Sequence, residues 1–151
     1  MPGLSKKTRY ALEAVVDIAY NAGSGPVQAR DITARQGIPQ RYLEQVMQKL
    51  VRAGILKGVR GPRGGYYLAM ERRRISVGDV VRVVGDLEPA DGDVAQSETS
   101  PLAALVVGPA MAEVRSGLLA RLDTITIQDL CDRARAEGVP RADRQRLDFA
   151  I

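Results

Sequence analysis

The sequence predicts a mainly α fold with one small β wing, and three observations predict it. Apolar residues recur at helical spacing in three successive N-terminal stretches, most clearly Leu43, Val46, Met47 and Leu50. Directly after them come Ile55 to Arg60, the turn Gly61-Pro62-Arg63-Gly64-Gly65, and Tyr66-Tyr67-Leu68, which is the order of strand, hairpin tip and strand. An acid-rich break from Asp86 to Glu98 then separates this unit from further helical stripes.

Taken in order, Ser5 is placed to cap a helix from Lys6 to about Asn21. That helix is expected to bury Tyr10, Ala11, Ala14, Val15, Ile18 and Ala19. Gly23-Ser24-Gly25-Pro26 ends it, and Val27 could add a short edge strand. Ala29 to Gln36 reads as a two-turn helix with Ile32 inward, stopped by Gly37. Ile38 fills the corner, and Pro39 fits the first turn of the next helix, where its missing N–H costs little. Two short helices across a glycine turn, then a hairpin, make the layout of a winged helix-turn-helix.

After the hairpin, Glu71 to Arg74 is a charged loop. Ser76-Val77-Gly78-Asp79 is a capping box for a short helix bearing Val80, Val81, Val83 and Val84. The domain organisation that follows is a winged unit over 1–85, an acidic loop or linker over 86–108, dimerisation helices over 109–137 and a flexible tail over 138–151. Within the linker, LAALVV reads as a brief helix interrupted by Gly108-Pro109. From Pro109, Met111, Val114, Leu118 and Leu122 form one stripe. Its natural cover is a second copy of itself, giving a twofold dimer; packing on its own N-terminal unit is the alternative. Thr126-Ile127-Gln128-Asp129 is a second capping box, opening a helix through Ala136.

The 151 residues suffice for one domain with a core and an arm. The net charge of +4 divides unevenly: residues 1–84 carry +9 and residues 85–151 carry −5. A basic half beside an acidic half suits a nucleic-acid-binding unit with a separate arm, and equally an uneven solvated surface. No apolar run reads as long enough to span a membrane, and the N-terminus lacks an apolar signal core, so the expectation is a cytoplasmic protein without a membrane partner. The single cysteine, Cys131, excludes an internal disulfide. With no histidine, no phosphate loop and no nucleophile elbow, an enzyme is not expected.

Gln40, Arg41, Tyr42, Glu44 and Gln45 fall between the buried positions of the third helix and are candidates for contact with double-stranded DNA. Tyr42 fits a core aromatic as well, and Glu44 could instead orient Arg41 or Arg52. Arg60 and Arg63 at the hairpin tip have little structural reason to be there. Lys6, Lys7 and Arg9 are candidates for phosphate contact. A winged helix used only for protein contacts is the rival, against which the +9 of the first half argues.

The segments SKKTRYALEAVVDIA, YLEQ, VRGPRGGY, ISVGDVVRVV and LDTITIQDL, in this order, closely resemble the Rrf-two family of bacterial transcription regulators over about residues 3 to 131. The resemblance implies homodimers with a winged helix-turn-helix and a long crossing helix in the arm. It implies that Tyr42, Glu44 and Gln45 lie on the major-groove helix, with Glu44 accepting from cytosine and Gln45 able to pair with adenine. It places Arg60 in a narrow minor groove. Arg63 stands where the family often has glycine, and Pro39 where a serine cap is usual. The mechanism expected is a dimer that places two recognition helices in successive major grooves of a palindromic operator, acting most simply as a repressor.

One departure matters. Cluster-bearing members carry three cysteines in the loop before the crossing helix, and here Asp86 to Gly108 has neither cysteine nor histidine. Iron–sulfur clusters need several such ligands. No cofactor and no metal site are therefore expected. Asp86, Glu88, Asp91, Asp93 and Glu98 read as a solvated loop. Three modes of regulation stay open: constitutive binding, control by a partner protein or small metabolite as in cluster-free regulators of cysteine metabolism, or redox chemistry at Cys131. A lone cysteine beside Leu130 and Ala134 is more often a small core residue.

Overall fold

The computed structural model describes residues 4–85 and 100–142. Three helices form the N-terminal unit: α1 Lys6–Tyr20, α2 Ala29–Gln36 and α3 Gln40–Arg52. Strands β1 Leu56–Val59 and β2 Gly65–Leu68 pair antiparallel, with Leu56 opposite Leu68 and Val59 opposite Gly65. Val27 adds the expected third line of pairing: its N–H donates to Tyr66 O at 3.0 Å, and Tyr66 N–H returns to Val27 O at 2.8 Å. Then come a 3₁₀ turn, Arg72–Arg74, and α4 Val77–Val84. The arm is α5 Gly108–Leu122, and the last helix is α6 Ile127–Ala136.

The caps explain the boundaries. Ser5 accepts from Thr8 N–H at 3.3 Å, satisfying an otherwise orphaned donor. Both expected capping boxes form: Ser76 with Asp79, and Thr126 with Asp129, each closed by bonds of 2.9–3.0 Å. They lie side by side, because Val77 N–H donates to Ile125 O at 2.7 Å and Ile127 N–H to Ile75 O at 2.8 Å. The starts of α4 and α6 are thus laced together. Pro39 takes the cap position rather than the first turn, and its carbonyl accepts from Tyr42 and Leu43 at 3.1 Å.

The core is built where the stripes of α1 and α3 meet. Ala11, Ala14, Val15 and Ile18 of α1 are buried against Ile32, Ile38, Leu43, Val46, Met47 and Leu50. Tyr10, expected inside, is only half-buried. The last helix, grouped by the sequence with the dimerisation helices, packs on α1 of its own chain and inserts Ile127 and Cys131 into this core. Its amphipathic stripe finds a partner at once, which a short helix needs to be stable.

Two further expectations are corrected. The apolar segment before Gly108 is not a separate helix or a loop. Helix continues from Pro101 into α5 through a π turn, Ala103–Val107, in which Gly108 N–H reaches Ala103 O. A proline inside an α-helix clashes with the carbonyl four residues back; the wider turn removes that clash at Pro109. As a result Ala103–Leu122 forms 20 continuous helical residues with an 18-residue stretch of mean hydropathy 1.3, long and apolar enough to cross a membrane by length and composition. The tail is also anchored at its start: Tyr20 Oη donates to Val139 O at 2.6 Å, and Ala142 N–H to Asn21 Oδ1 at 2.9 Å. The acidic stretch from Asp86 to Glu98, and the tail beyond Ala142, lie outside the described residues.

Two ion pairs fix the frame. Asp17 on α1, its side chain fully buried, accepts from Arg35 Nε at 2.9 Å and Nη2 at 2.8 Å and from Gln36 Nε2 at 2.8 Å. This triad holds α2 onto α1, and the carboxylate raises the pKa of Arg35 above its ordinary value. Asp17→Ala strands a guanidinium and an amide, and should cost about 2–3 kcal/mol of unfolding free energy, since Arg35 keeps some access to water. Urea denaturation measures it; a loss below about 1 kcal/mol would mean that packing alone holds α2 in place. At the other end Arg82 of α4 grips Asp123 below α5 through two bonds of 2.6 and 2.7 Å. Arg82 also holds the exposed Asp123 carboxyl below its usual range.

Candidate nucleic-acid interface

Helix α3 turns Leu43, Val46, Met47 and Leu50 inward, so Gln40, Arg41, Glu44, Gln45 and Gln48 face out by the same period that buries the core. Tyr42 is exposed too, at 49 %, which removes it from the core. Its ring leans on Tyr10, centroids 6.0 Å apart and planes at 40°, and this contact fixes its direction at the start of α3. Gln40 Nε2 donates to Glu44 Oε1 at 3.1 Å. Glu44 is therefore oriented by Gln40, one turn earlier, rather than by Arg41 or Arg52.

The wing tip is a tight loop. Gly61, at φ +112°, takes a conformation that a side chain resists, and its carbonyl receives Gly64 N–H at 2.9 Å. A Cβ on Gly65 would strike the Val27 carbonyl, so glycine is needed for the strand to reach that bridge. Gln28 Nε2 reaches Pro62 O at 3.4 Å, tying the tip to the start of α2. Arg60 and Arg63 stand exposed on this loop, and neither has a carboxylate partner among the described residues. Between α3 and the wing lies a groove lined by Gln48, Arg52, Arg60 and Gly61. An exposed polar helix face beside an unneutralised basic tip is a surface for a polyanion with readable edges.

The first turn of α1 contributes Lys6 and Lys7, with Arg9 half-buried further along. One residue the sequence reading missed joins them. Lys49, on the last full turn of α3, lies near Lys7, and that like-charged neighbour lowers its pKa. Two neighbouring ammonium groups at a surface favour an anion between them. The sequence carries no signal for the pair, because only the crossing of α1 over α3 brings them together.

The chain matches the Rrf2 family, described as iron-dependent transcriptional regulator, over residues 4–133. The chain belongs to this Rrf2 family. It is 34% identical to the HTH-type transcriptional regulator IscR of Aliivibrio salmonicida over 148 residues, 98% of this chain and 87% of that one. It is 49% identical over 83 residues to a putative HTH-type transcriptional regulator of Haemophilus influenzae, a match spanning 55% of each. Among solved structures, T. potens IscR superposes with TM-score 0.71 at 33% identity, covering 94% of this chain and 95% of that one. CymR, the global cysteine regulator of B. subtilis, does so with TM-score 0.68 at 29%, covering 88% and 98%. The Rrf2 chain described here is thus a winged-helix transcriptional regulator of the DNA-binding kind, not an enzyme.

The iron-dependent description calls for a test of the donor set. This Rrf2 member has one cysteine and no histidine in its sequence. Cys131 is fully buried in the core, and burial pushes its thiol up, against the opposing pull of Arg72. Among the described residues no three cysteine, histidine or acidic side chains converge. These residues do not fit an iron–sulfur cluster, which is held by several thiolates. The enclosure of Cys131 equally disfavours the thiolate that redox sensing requires.

Proposed function

We propose that this protein is a cytoplasmic homodimeric repressor that binds a palindromic operator without an iron–sulfur cluster. Residues 1–85 supply the DNA-binding unit and the arm supplies the twofold contact. The observation that carries this reading is the exposed polar face of α3 standing beside the unneutralised Arg60 and Arg63. In each protomer α3 enters the major groove, where Glu44 and Gln45 meet base edges and Gln40, Arg41 and Tyr42 support them. Arg60 enters the flanking minor groove and Arg63 follows the backbone. Lys6, Lys7, Arg9 and Lys49 neutralise phosphates. Met111, Val114, Leu118 and Leu122 pair across the twofold axis; exposures of 53 %, 63 % and 37 % for the first three support this, since those three side chains stand open among the described residues. Signal input comes from a partner protein or small metabolite.

Glu44→Ala tests direct readout. A carboxylate accepting from cytosine disfavours other bases at that position. The variant should tolerate a substituted base pair that the parent rejects, with total affinity on a randomised pool little changed. Binding selections on such a pool, parent against variant, read this directly. An equal loss on every sequence would assign Glu44 to positioning of Gln40 alone.

A further inference from the structure

A second cluster of arginines lies away from the recognition helix. The C-terminal end of α1, strand β2, the turn Arg72–Arg74 and the α6 region enclose an open cavity of about 540 Å³. Arg72, Arg73, Arg141 and Gln128 line it, with Leu68 and Met70 as an apolar wall. Arg72 Nη1 donates to Ala19 O at 3.3 Å. Arg141 Nε donates to Tyr20 O at 3.1 Å, and its guanidinium lies 5.4 Å from the centre of the Tyr20 ring.

These bonds satisfy the last carbonyls of α1 but leave most donors unused. A guanidinium has five N–H groups. Arg141 gives one to Tyr20 O, and Arg72 gives one to Ala19 O. Glu71 is the one carboxylate lining the cavity, and it is bound to Arg73 at 2.8 Å. Among the described residues neither Arg72 nor Arg141 has an acidic partner. The helix end offsets only about half a charge. Among the described residues, two half-buried cations therefore face one cavity with about one and a half charges unanswered.

We propose that this cavity binds a small oxyanion carried on a short apolar body, a carboxylate or a phosphate ester. The planar guanidiniums of Arg72 and Arg141 take the oxyanion in paired hydrogen bonds. Gln128, whose Nε2 donates to Asp132 Oδ1 at 2.8 Å, adds its remaining amide N–H, and Leu68 and Met70 receive the apolar portion. Because the walls belong both to the wing strand and to the α6 region, occupancy ties the base of the wing to the C-terminal part of the chain. The ligand then acts as an effector of DNA binding; that last step rests on the function proposed above, whereas the binding itself does not.

The test uses the full chain at constant ionic strength, titrated with inorganic phosphate and, separately, with hexanoate, against chloride. Melting temperature is the readout. At least one probe should raise Tm above the chloride reference, and which one does so identifies the oxyanion source. Arg141→Gln should weaken the apparent affinity at least about tenfold, whereas Arg60→Ala at the distant wing tip should leave it unchanged. Should Arg141→Gln not fold, Gln128→Glu places a repelling carboxylate on the same wall without touching the bonds to α1. No stabilisation beyond chloride, or a response that both cavity variants retain, would reduce the arginines to a helix cap. Anisotropy on operator DNA with and without the effective probe tests the regulatory step: a change in affinity supports it, and an unchanged affinity refutes it. Failure of the chain to bind DNA under any condition refutes the repressor reading and leaves the Tm result standing.

Discussion

Leu118→Asp is expected to convert the protein to monomer and, with it, to remove most of its operator affinity. Leu118 sits in the exposed stripe of α5, with Met111 and Val114 above it and Leu122 below. A carboxylate in the middle of a self-paired apolar seam meets its own copy across the twofold axis, so each dimer would bury two unpaired charges. Sedimentation should show one protomer mass where the parent shows two. Linked half-sites bind more tightly than isolated ones by about two to four orders of magnitude, and operator affinity should fall on that scale. The last helix packs on α1 independently of this stripe, so circular dichroism should show the fold retained. A persistent dimer would move the interface elsewhere, with the exposed Leu102, Leu105, Val106 and Val107 on the preceding turns as the next surface to alter.

Arg60→Ala should weaken specific binding by about 1–3 kcal/mol, roughly 5- to 150-fold in affinity. Arg60 lies at the exposed wing tip beside a rigid glycine turn, so alanine removes a charge and a planar donor set without disturbing the hairpin. A minor-groove arginine also reads groove width. The variant should therefore lose more on an A·T-rich flank than on a G·C-rich one. Arg63→Ala should lose less, equally on both flanks, and should lower the salt slope by about one phosphate contact. Unchanged affinity for Arg60→Ala would take the wing out of the interface.

Much of this was legible in the sequence because short-range chemistry decides it. Ser76 with Asp79 and Thr126 with Asp129 announced two helix starts, and both boxes close. The period of Leu43, Val46, Met47 and Leu50 both buried one face of α3 and exposed the other. What stayed hidden depended on tertiary choice. A glycine–proline pair reads as a break, yet a π turn carries the helix through Gly108-Pro109. The last helix falls within the expected dimerisation helices, yet Ile127 and Cys131 of α6 go to the core of their own chain. Tyr42 was equally suited to core and surface until Tyr10 appeared beside it. Lys7 and Lys49 are 42 positions apart in the sequence, and only the crossing of α1 over α3 makes them neighbours. The arginine cavity likewise gathers residues from four separate segments.

The most direct test of the central claim is fluorescence anisotropy of chelator-treated, metal-free protein on a duplex from its own upstream region, with excess random competitor, reduced and oxidised. Tight, competitor-resistant binding, the same in both redox states, is the expected result, because the recognition surface needs no cluster and Cys131 is sealed in the core. Binding that appears only after reconstitution with iron and sulfide, or only in one redox state, would contradict it.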